Sequence, residues 1–390
     1  MNNILVLVYA NTRTQLMLKE DNMKLCIVYN FTQKYREPIF KKLDREFDCK
    51  WYFGNNKTNI AGFDISVLKD ATLIKNHYSN RTPFYSQEGI ASLANNKEID
   101  TFLTLGDPFN VSMWLLAIRI RLFNRKKKLY YWTHGWYGRE NILRRLFKKL
   151  FFKLADGIFL YGNYAKELMI KEGFKENKLF VIHNSLDYNN QLKLRKSLTT
   201  SDIYSKHFGN NNKTIIFIGR LTKQKRIDML LDVIANLKKK GESFNLVLIG
   251  DGSVRQALEK QANELEITEQ VWFYGACYDD TKNAELIYNA DLCVSPGNVG
   301  LTAVHTMTFG TPVATHDTFS MQGPEFEAIR EGETGTFFKY NDKDSIEVSI
   351  SGWFKQHSND REQIRQNCYE EIATQWNPEF QMKVFKEILK

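Results

Sequence analysis

Four cations crowd one short stretch, Gly219-Arg220-Leu221-Thr222-Lys223-Gln224-Lys225-Arg226. Arg220, Lys223, Lys225 and Arg226 together call for an anion. A guanidinium can grip a phosphate at two points, and an ammonium can neutralise it as a point charge. The plain alternative is a solvated basic loop. A second polar group, Thr133-His134-Gly135-Trp136, follows an apolar run at residues 128–132. Asp342-Lys343-Asp344 has acidic spacing but stands in a polar turn, and a turn is its expected role. No pair of the five cysteines, Cys26, Cys49, Cys277, Cys293 and Cys368, has metal-ligand spacing. They read as reduced thiols, mostly small core residues.

The surrounding elements explain how the cations would be held. Ile215–Ile218 is a short β-branched run, as in a buried strand, and Gly219 ends it. Ile227, Leu230, Leu231, Ile234 and Leu237 follow at helical spacing. Lys238–Lys240 and Gly241 make a suitable helix end. A loop between the carboxyl end of a strand and a helix is where open α/β sheets bind ligands. Further strands are expected at 245–249, 270–274, 291–295, 312–315 and 335–338, with helices starting near 226, 253, 281, 300 and 344. In the first half the strand candidates are Leu25–Phe31, Trp51–Phe53, Asp100–Leu105, Lys128–Trp132, Gly157–Tyr161 and Phe180–Ile182. Helices are expected over Glu37–Phe47 and Ala165–Glu172. Residues 54–83 are polar and give no periodicity. After about residue 360 the chain reads as helical, broken at Asn377-Pro378. Such alternation implies two parallel sheets covered on both faces.

With 390 residues the chain has room for two domains. Its 43% hydrophobic and 25% charged content is that of a globular protein. A net charge of +9 favours anionic partners. The aromatics do not interleave with the cations as stacking platforms do, so nucleic acid is not an expected partner. Ile4–Ala10 is apolar but lacks a preceding basic segment, which makes it a poor signal peptide. No run reaches membrane-spanning length. Residues 142–154 are unusual. Ile142, Leu143, Leu146, Phe147, Leu150, Phe151 and Leu154 form one face, and Arg144, Arg145, Lys148, Lys149 and Lys153 fill much of the rest. With Arg119, Arg121 and Arg125 to Lys128 nearby, residues 117–154 could lie on an anionic bilayer, or form a core helix with a solvated basic side.

The second half resembles the carboxyl-terminal domain of retaining GT-B glycosyltransferases of the family 4 type, glycosyl transferases group 1. The resemblance rests on Gly219-Arg220-Leu221 with Lys225, Leu248-Ile249-Gly250-Asp251-Gly252, Phe273-Tyr274-Gly275 and Asn289-Ala290-Asp291 leading to Ser295-Pro296. It continues through Gly300-Leu301, Met307, Gly310-Thr311-Pro312-Val313, Glu327 and Gly332-Glu333-Thr334-Gly335. In the first half His134-Gly135, Ala155-Asp156 and residues 181–187 are similar to family landmarks. No single motif is specific; their order and spacing together are.

The resemblance implies an α/β protein of GT-B fold, with two Rossmann-like doubly wound domains facing a central cleft. The expected division is an extension at 1–22, an acceptor-side domain at 23–190, a linker at 191–212 and a nucleotide-sugar-binding domain at 213–372. A terminal helix at 373–390 is expected to pack back on the first domain. The implied reaction moves a sugar, with retention, from a nucleotide diphosphate donor to a glycan or lipid-linked acceptor at the cytoplasmic membrane face, in cell-surface polysaccharide or lipopolysaccharide assembly. Neither a metal nor a separate cofactor is expected. Arg220, Lys225 and His134 are the expected catalytic residues. Gly219, Gly297, Asn298, Gly300, Leu301, His305, Glu325 and Glu327 are the expected donor contacts, with the amides of 298–301 serving phosphate or sugar oxygens.

Two departures stand out. The family's glutamate pair, eight positions apart, falls on Gly297 and His305. Gly297 can offer only backbone. His305 can hydrogen-bond a hydroxyl or simply pack in its helix. Glu325 or Glu327 could supply the absent carboxylate; Glu327 could equally be a helix-end residue. The glycine-rich loop after the first strand is also replaced, by Asn30-Phe31-Thr32-Gln33-Lys34-Tyr35-Arg36. A catalytically inactive nucleotide-sugar-binding or partner protein is therefore the alternative reading.

Overall fold

A computed structural model describes residues 23–56 and 61–389. The expected extension at 1–22 lies outside them. The first sheet is built from β1 (Lys24–Tyr29), β2 (Asp48–Gly54), β3 (Ala71–Ile74), β4 (Thr101–Leu105), β5 (Lys128–Thr133), β6 (Gly157–Leu160) and β7 (Leu179–Val181), in the order β3-β2-β1-β4-β5-β6-β7. The second contains β8 (Thr214–Ile218), β9 (Asn245–Ile249), β10 (Val271–Gly275), β11 (Leu292–Ser295), β12 (Val313–His316) and β13 (Gly335–Phe338), in the order β10-β9-β8-β11-β12-β13. Where the pairings are resolved, both sheets are parallel. In each sheet the order reverses beside the first strand, which is the doubly wound pattern.

By their internal contacts the described residues fall into two compact units. One runs to Thr133 and takes in Leu146–Ile158; the other takes in His134–Arg145 and Phe159–Ile388. In the first unit, helix α1 (Glu37–Glu46) buries Ile39, Phe40 and Leu43. The Phe40 ring sits 5.1 Å from Tyr29 and 5.0 Å from Trp51, so the core on this side is largely aromatic. The featureless stretch at 54–83 contributes β3 to the sheet edge, then a short antiparallel pair, Asn76–Tyr78 with Tyr85–Gln87. Most β3 side chains are partly or fully exposed, so no apolar pattern marks the strand.

Helices α2 (Val111–Phe123) and α3 (Ile142–Phe152) follow β4 and β5. The apolar face expected on α3 is divided. Phe151 is buried and stacks on Tyr131 at 4.4 Å, and Phe147 lies 5.2 Å from Trp114. Leu146 and Leu150 are instead 56% and 54% exposed, and Ile142 and Leu143 are both 79% exposed. One side of the helix fills an aromatic crevice, and a short helix packed on one side leaves its neighbouring leucines in solvent. Among the described residues no helix is long and apolar enough to cross a membrane.

In the second unit, α4 (Asn163–Lys171) follows β6. Helix α5 (Ile227–Lys239) follows β8 and buries Ile227, Leu230, Leu231, Ile234 and Leu237 against Ile215–Phe217 and the β9 strand. Each such side chain contributes about 1.5–3 kcal/mol through its removal from water. The short helix α6 (Thr302–Thr308) follows β11.

Candidate functional site

The four cations do occupy the loop at the carboxyl end of β8, the strand beside which the order of the second sheet reverses. Gly219 hands the chain from β8 into the loop, and a side chain at Gly250 would lie 1.9 Å from the Gly219 carbonyl oxygen. Close backbone approach therefore fixes the path on which Arg220 is presented. Leu221 N–H donates to the Asp251 carbonyl at 2.9 Å, tying the loop to the next strand end. Lys223–Lys225 forms a single 3-10 turn, and Arg226, with φ of +53°, redirects the chain into α5.

The cations then divide. Arg226 is held by Asp228 and by the Asn341 side chain. Lys225 donates to the Asn298 carbonyl and is half-buried. Arg220 and Lys223 are exposed. Burial lowers the Lys225 pKa; the Glu325 carboxylate opposes that shift and the Arg220 charge adds to it.

Residues 297–301 pass directly beside this turn. Gly297 N–H donates to the Lys225 carbonyl at 3.1 Å. A Cβ at Gly297 would fall 2.0 Å from the Gln224 carbonyl oxygen and 2.9 Å from the Lys225 Cα. The position has no space for a side chain, which is a physical reason for glycine there. Val299 N–H donates to Gln322 Oε1 at 2.9 Å, so that amide is already occupied. Gln322 Nε2 donates to the Thr315 hydroxyl at 2.9 Å, and Thr315 donates to the Ser295 carbonyl at 2.8 Å. This buried chain of side chains holds the loop in place. Sequence reasoning missed Gln322 and Thr315 because neither shows periodicity and their contacts are remote in sequence. Gly300, with φ of +55°, and Leu301 complete the turn into α6.

Glu325 and Glu327 differ in environment. Glu327 accepts from Asn163 N–H and Tyr164 N–H, both at 2.7 Å, at the start of α4. It has the helix-end role, binding donors that the helix cannot satisfy itself. Its pKa is raised, burial outweighing those bonds. Glu325 is buried and accepts from Asn184 Nδ2 at 2.9 Å. Besides Lys225, it acts on Tyr137, whose hydroxyl is pushed up to about 12 by burial and then by the Glu325 charge.

His305 sits on α6 with its ring 5.7 Å from Phe309. Enclosure of the ring lowers its pKa to about 4, so the imidazole is neutral near pH 7. His134 is exposed, with its ring 4.7 Å from Tyr161. It lines a shallow open pocket with Tyr137, Tyr164, Phe319, Gln322 and Glu327. The structure thus brings Arg220, Lys225, Gly297, Asn298 and Glu325 into one neighbourhood. Asp342 caps the helix Lys343–Gln356 by accepting from Ser345 N–H at 2.9 Å.

The fold is GT-B. HepE of Anabaena, solved in complex with UDP, superimposes with a TM-score of 0.70 at 17% identity, over 94% of this chain and 99% of that one. The lipopolysaccharide outer core galactosyltransferase WaaB, in its apo form, gives 0.70 at 16% identity over the same shares. Residues 200–371 then match the family model described as Glycosyl transferases group 1. A 41.2 kDa protein from the cps region of Klebsiella pneumoniae is 27% identical over 205 residues, 51% of this chain. That alignment spans 52% of the relative, about half its length.

Proposed function

We propose that the protein transfers a sugar from a nucleotide diphosphate donor to a hydroxyl acceptor, with retention at the anomeric carbon. The observation that carries the reading is the seating of Lys225 on the loop 297–301 at the carboxyl edge of the second sheet, with the exposed Arg220 charge acting beside it. As the glycosidic bond breaks, negative charge grows on the departing diphosphate. Cations fixed beforehand stabilise that state more than the ground state, which lowers the barrier. Arg220 is exposed and available to a two-point phosphate contact; Lys225 adds charge from a drier position. His134 serves the sugar and acceptor side, and His305 offers a neutral hydrogen-bonding group to the nucleotide ribose. The UDP complex of HepE supports trying uridine donors first.

A lipid-linked acceptor in cell-surface polysaccharide or lipopolysaccharide assembly, met at the cytoplasmic membrane face, suits the exposed apolar residues of α2 and α3. Leu122 and Phe123 on α2 are 60% and 74% exposed, as are Leu146 and Leu150 on α3 at 56% and 54%, and Arg125, Lys126, Lys149 and Lys153 stand near them in the sequence. Flotation with phosphatidylglycerol vesicles tests this part; protein left at the bottom of the gradient rejects it. The transfer itself is tested by thermal shift against a panel of nucleotide sugars, followed by donor hydrolysis. A stabilising donor that is turned over supports it. Binding without any turnover would favour the inactive reading.

A further inference from the structure

Arg139 belongs to no motif of the sequence, yet it stands beside the pocket that His134 lines. Its loop is short and firmly built. Glu140 reaches back to accept from Tyr137 N–H and Gly138 N–H, both at 2.9 Å. Arg139, between them, is exposed. Its guanidinium lies over the Tyr137 ring at 5.2 Å, and its Nη1 donates to Met321 Sδ at 3.1 Å. A thioether carries no charge, and the Tyr137 hydroxyl, pushed up to about 12 first by burial, is neutral near pH 7. Among the described residues no carboxylate forms an ion pair with Arg139, and its Nε and Nη2 have no hydrogen-bond partner. Arg226, by contrast, has Asp228.

Its two contacts place the charge. Tyr137 lines the pocket, and so do Phe319 and Gln322, which flank Met321 in the chain. The His134 ring lies 6.0 Å from the same Tyr137 ring. The Met321 carbonyl accepts from Asn298 Nδ2 at 3.3 Å, and the Asn298 carbonyl holds Lys225. All of these residues belong to one compact unit. One side chain, Tyr137, links Arg139 to His134, and one residue, Met321, links it to the loop that seats Lys225. We infer that Arg139 is a specificity-determining residue: it binds a phosphate group carried by the acceptor and so seats the acceptor beside His134. The inference rests on the transfer reading and deepens it by making the acceptor an anion. The donor diphosphate has Arg220 and Lys225. A guanidinium whose protein partners are neutral keeps its charge for a second anion, and the edge formed by Nε and Nη2 is the fork that grips a phosphate at two points. A sugar phosphate and a lipid headgroup offer that same chemistry.

The test reads the Tyr137 ring. The full chain is labelled with 3-fluorotyrosine, and the Tyr137 fluorine signal is assigned by its absence in Tyr137→Phe. Two phosphate probes are titrated: glucose 1-phosphate, and dihexanoylphosphatidylglycerol below its micelle concentration. A saturable shift from the first alone identifies a water-soluble acceptor, and one from the second a lipid headgroup. Methyl glucoside, which lacks the charge, should leave the signal in place. In Arg139→Gln the affinity read from the shift should fall about tenfold, as charge-assisted hydrogen bonds are lost, and in Arg220→Gln it should hold. No shift from either phosphate probe, an equal shift from methyl glucoside, or an equal affinity in Arg139→Gln overturns the inference. UDP affinity should be the same in Arg139→Gln as in the unmodified protein; a tenfold loss there would put the guanidinium on the donor and overturn the assignment to the acceptor. If no nucleotide binds the unmodified protein, the transfer reading fails, while the fluorine titration still decides whether Arg139 holds a phosphate.

Discussion

Two loops leave corresponding strands of the two sheets, and they treat arginine in opposite ways. After β1, the residues Asn30–Arg36 turn Arg36 inward. It is 4% exposed, donates to Gln33 Oε1 at 2.6 Å, and lies over the rings of Tyr29 at 5.4 Å and Trp132 at 5.2 Å. After β8, Arg220 stands in solvent at the edge of its sheet. The topologies match, so topology alone does not decide which loop offers charge to a ligand. What decides is whether aromatic faces and amide oxygens nearby already satisfy the guanidinium. In the first unit they do, and the cation becomes part of the packing.

That contrast can be broken from either side. The largest effect is expected at Arg220. Arg220→Ala should lower turnover by about 10²–10³-fold, the usual result of removing one fixed group that stabilises transition-state charge, with an unchanged melting temperature. Lys225→Ala should fall in the same range. Near-normal rates in both variants would contradict the roles given to them.

The next effect concerns acid. His183 is buried beside Trp376 at 4.3 Å, and burial lowers its pKa to about 4. Its unfolded value is about 6.5. Between these values the unfolded chain binds the extra proton, so stability is fully present above about pH 6.5 and is lost as pH falls toward 4. The loss is at most about 3 kcal/mol from this residue. His305 and His316, each lowered to about 4, act in the same direction and lie in the same unit. Urea unfolding followed by Trp376 fluorescence should therefore weaken over this window, and His183→Gln should flatten the dependence. An equal slope in that variant would remove His183 from the account.

Arg36→Ala comes third. It should cost about 2 kcal/mol in stability through the lost cation–π and stem packing, and leave nucleotide affinity intact. A selective loss of affinity without destabilisation would make the first loop a ligand loop after all. The smallest effect is at Glu327. Glu327→Ala removes the acceptor at the start of α4 and should cost about 1 kcal/mol, read as a lower urea midpoint.

Legibility followed burial. The strands expected at 245–249 and 335–338 have those limits, and the others of the second sheet shift by about one residue; at 245–249, where every residue is buried, the strand reads as a nearly unbroken apolar run. The helices expected near 226 and 344 begin at Ile227 and Lys343. β3 was hidden because its side chains are largely in solvent. At the site, the position of the cationic loop was readable from a strand, a glycine and a helix in succession. The inward bond from Gln322 to Val299 was not, because it joins segments whose local patterns say nothing of each other. The leucines and phenylalanines of α3 share one helical spacing but differ in burial, since spacing reports angle and not which neighbour is present.

The tight backbone at Gly297 also sets an order in which this protein could change. A glutamate written there would wedge apart the turn that carries Lys225. Any lineage or designer placing a side chain at that position would have to rebuild residues 224–225 first.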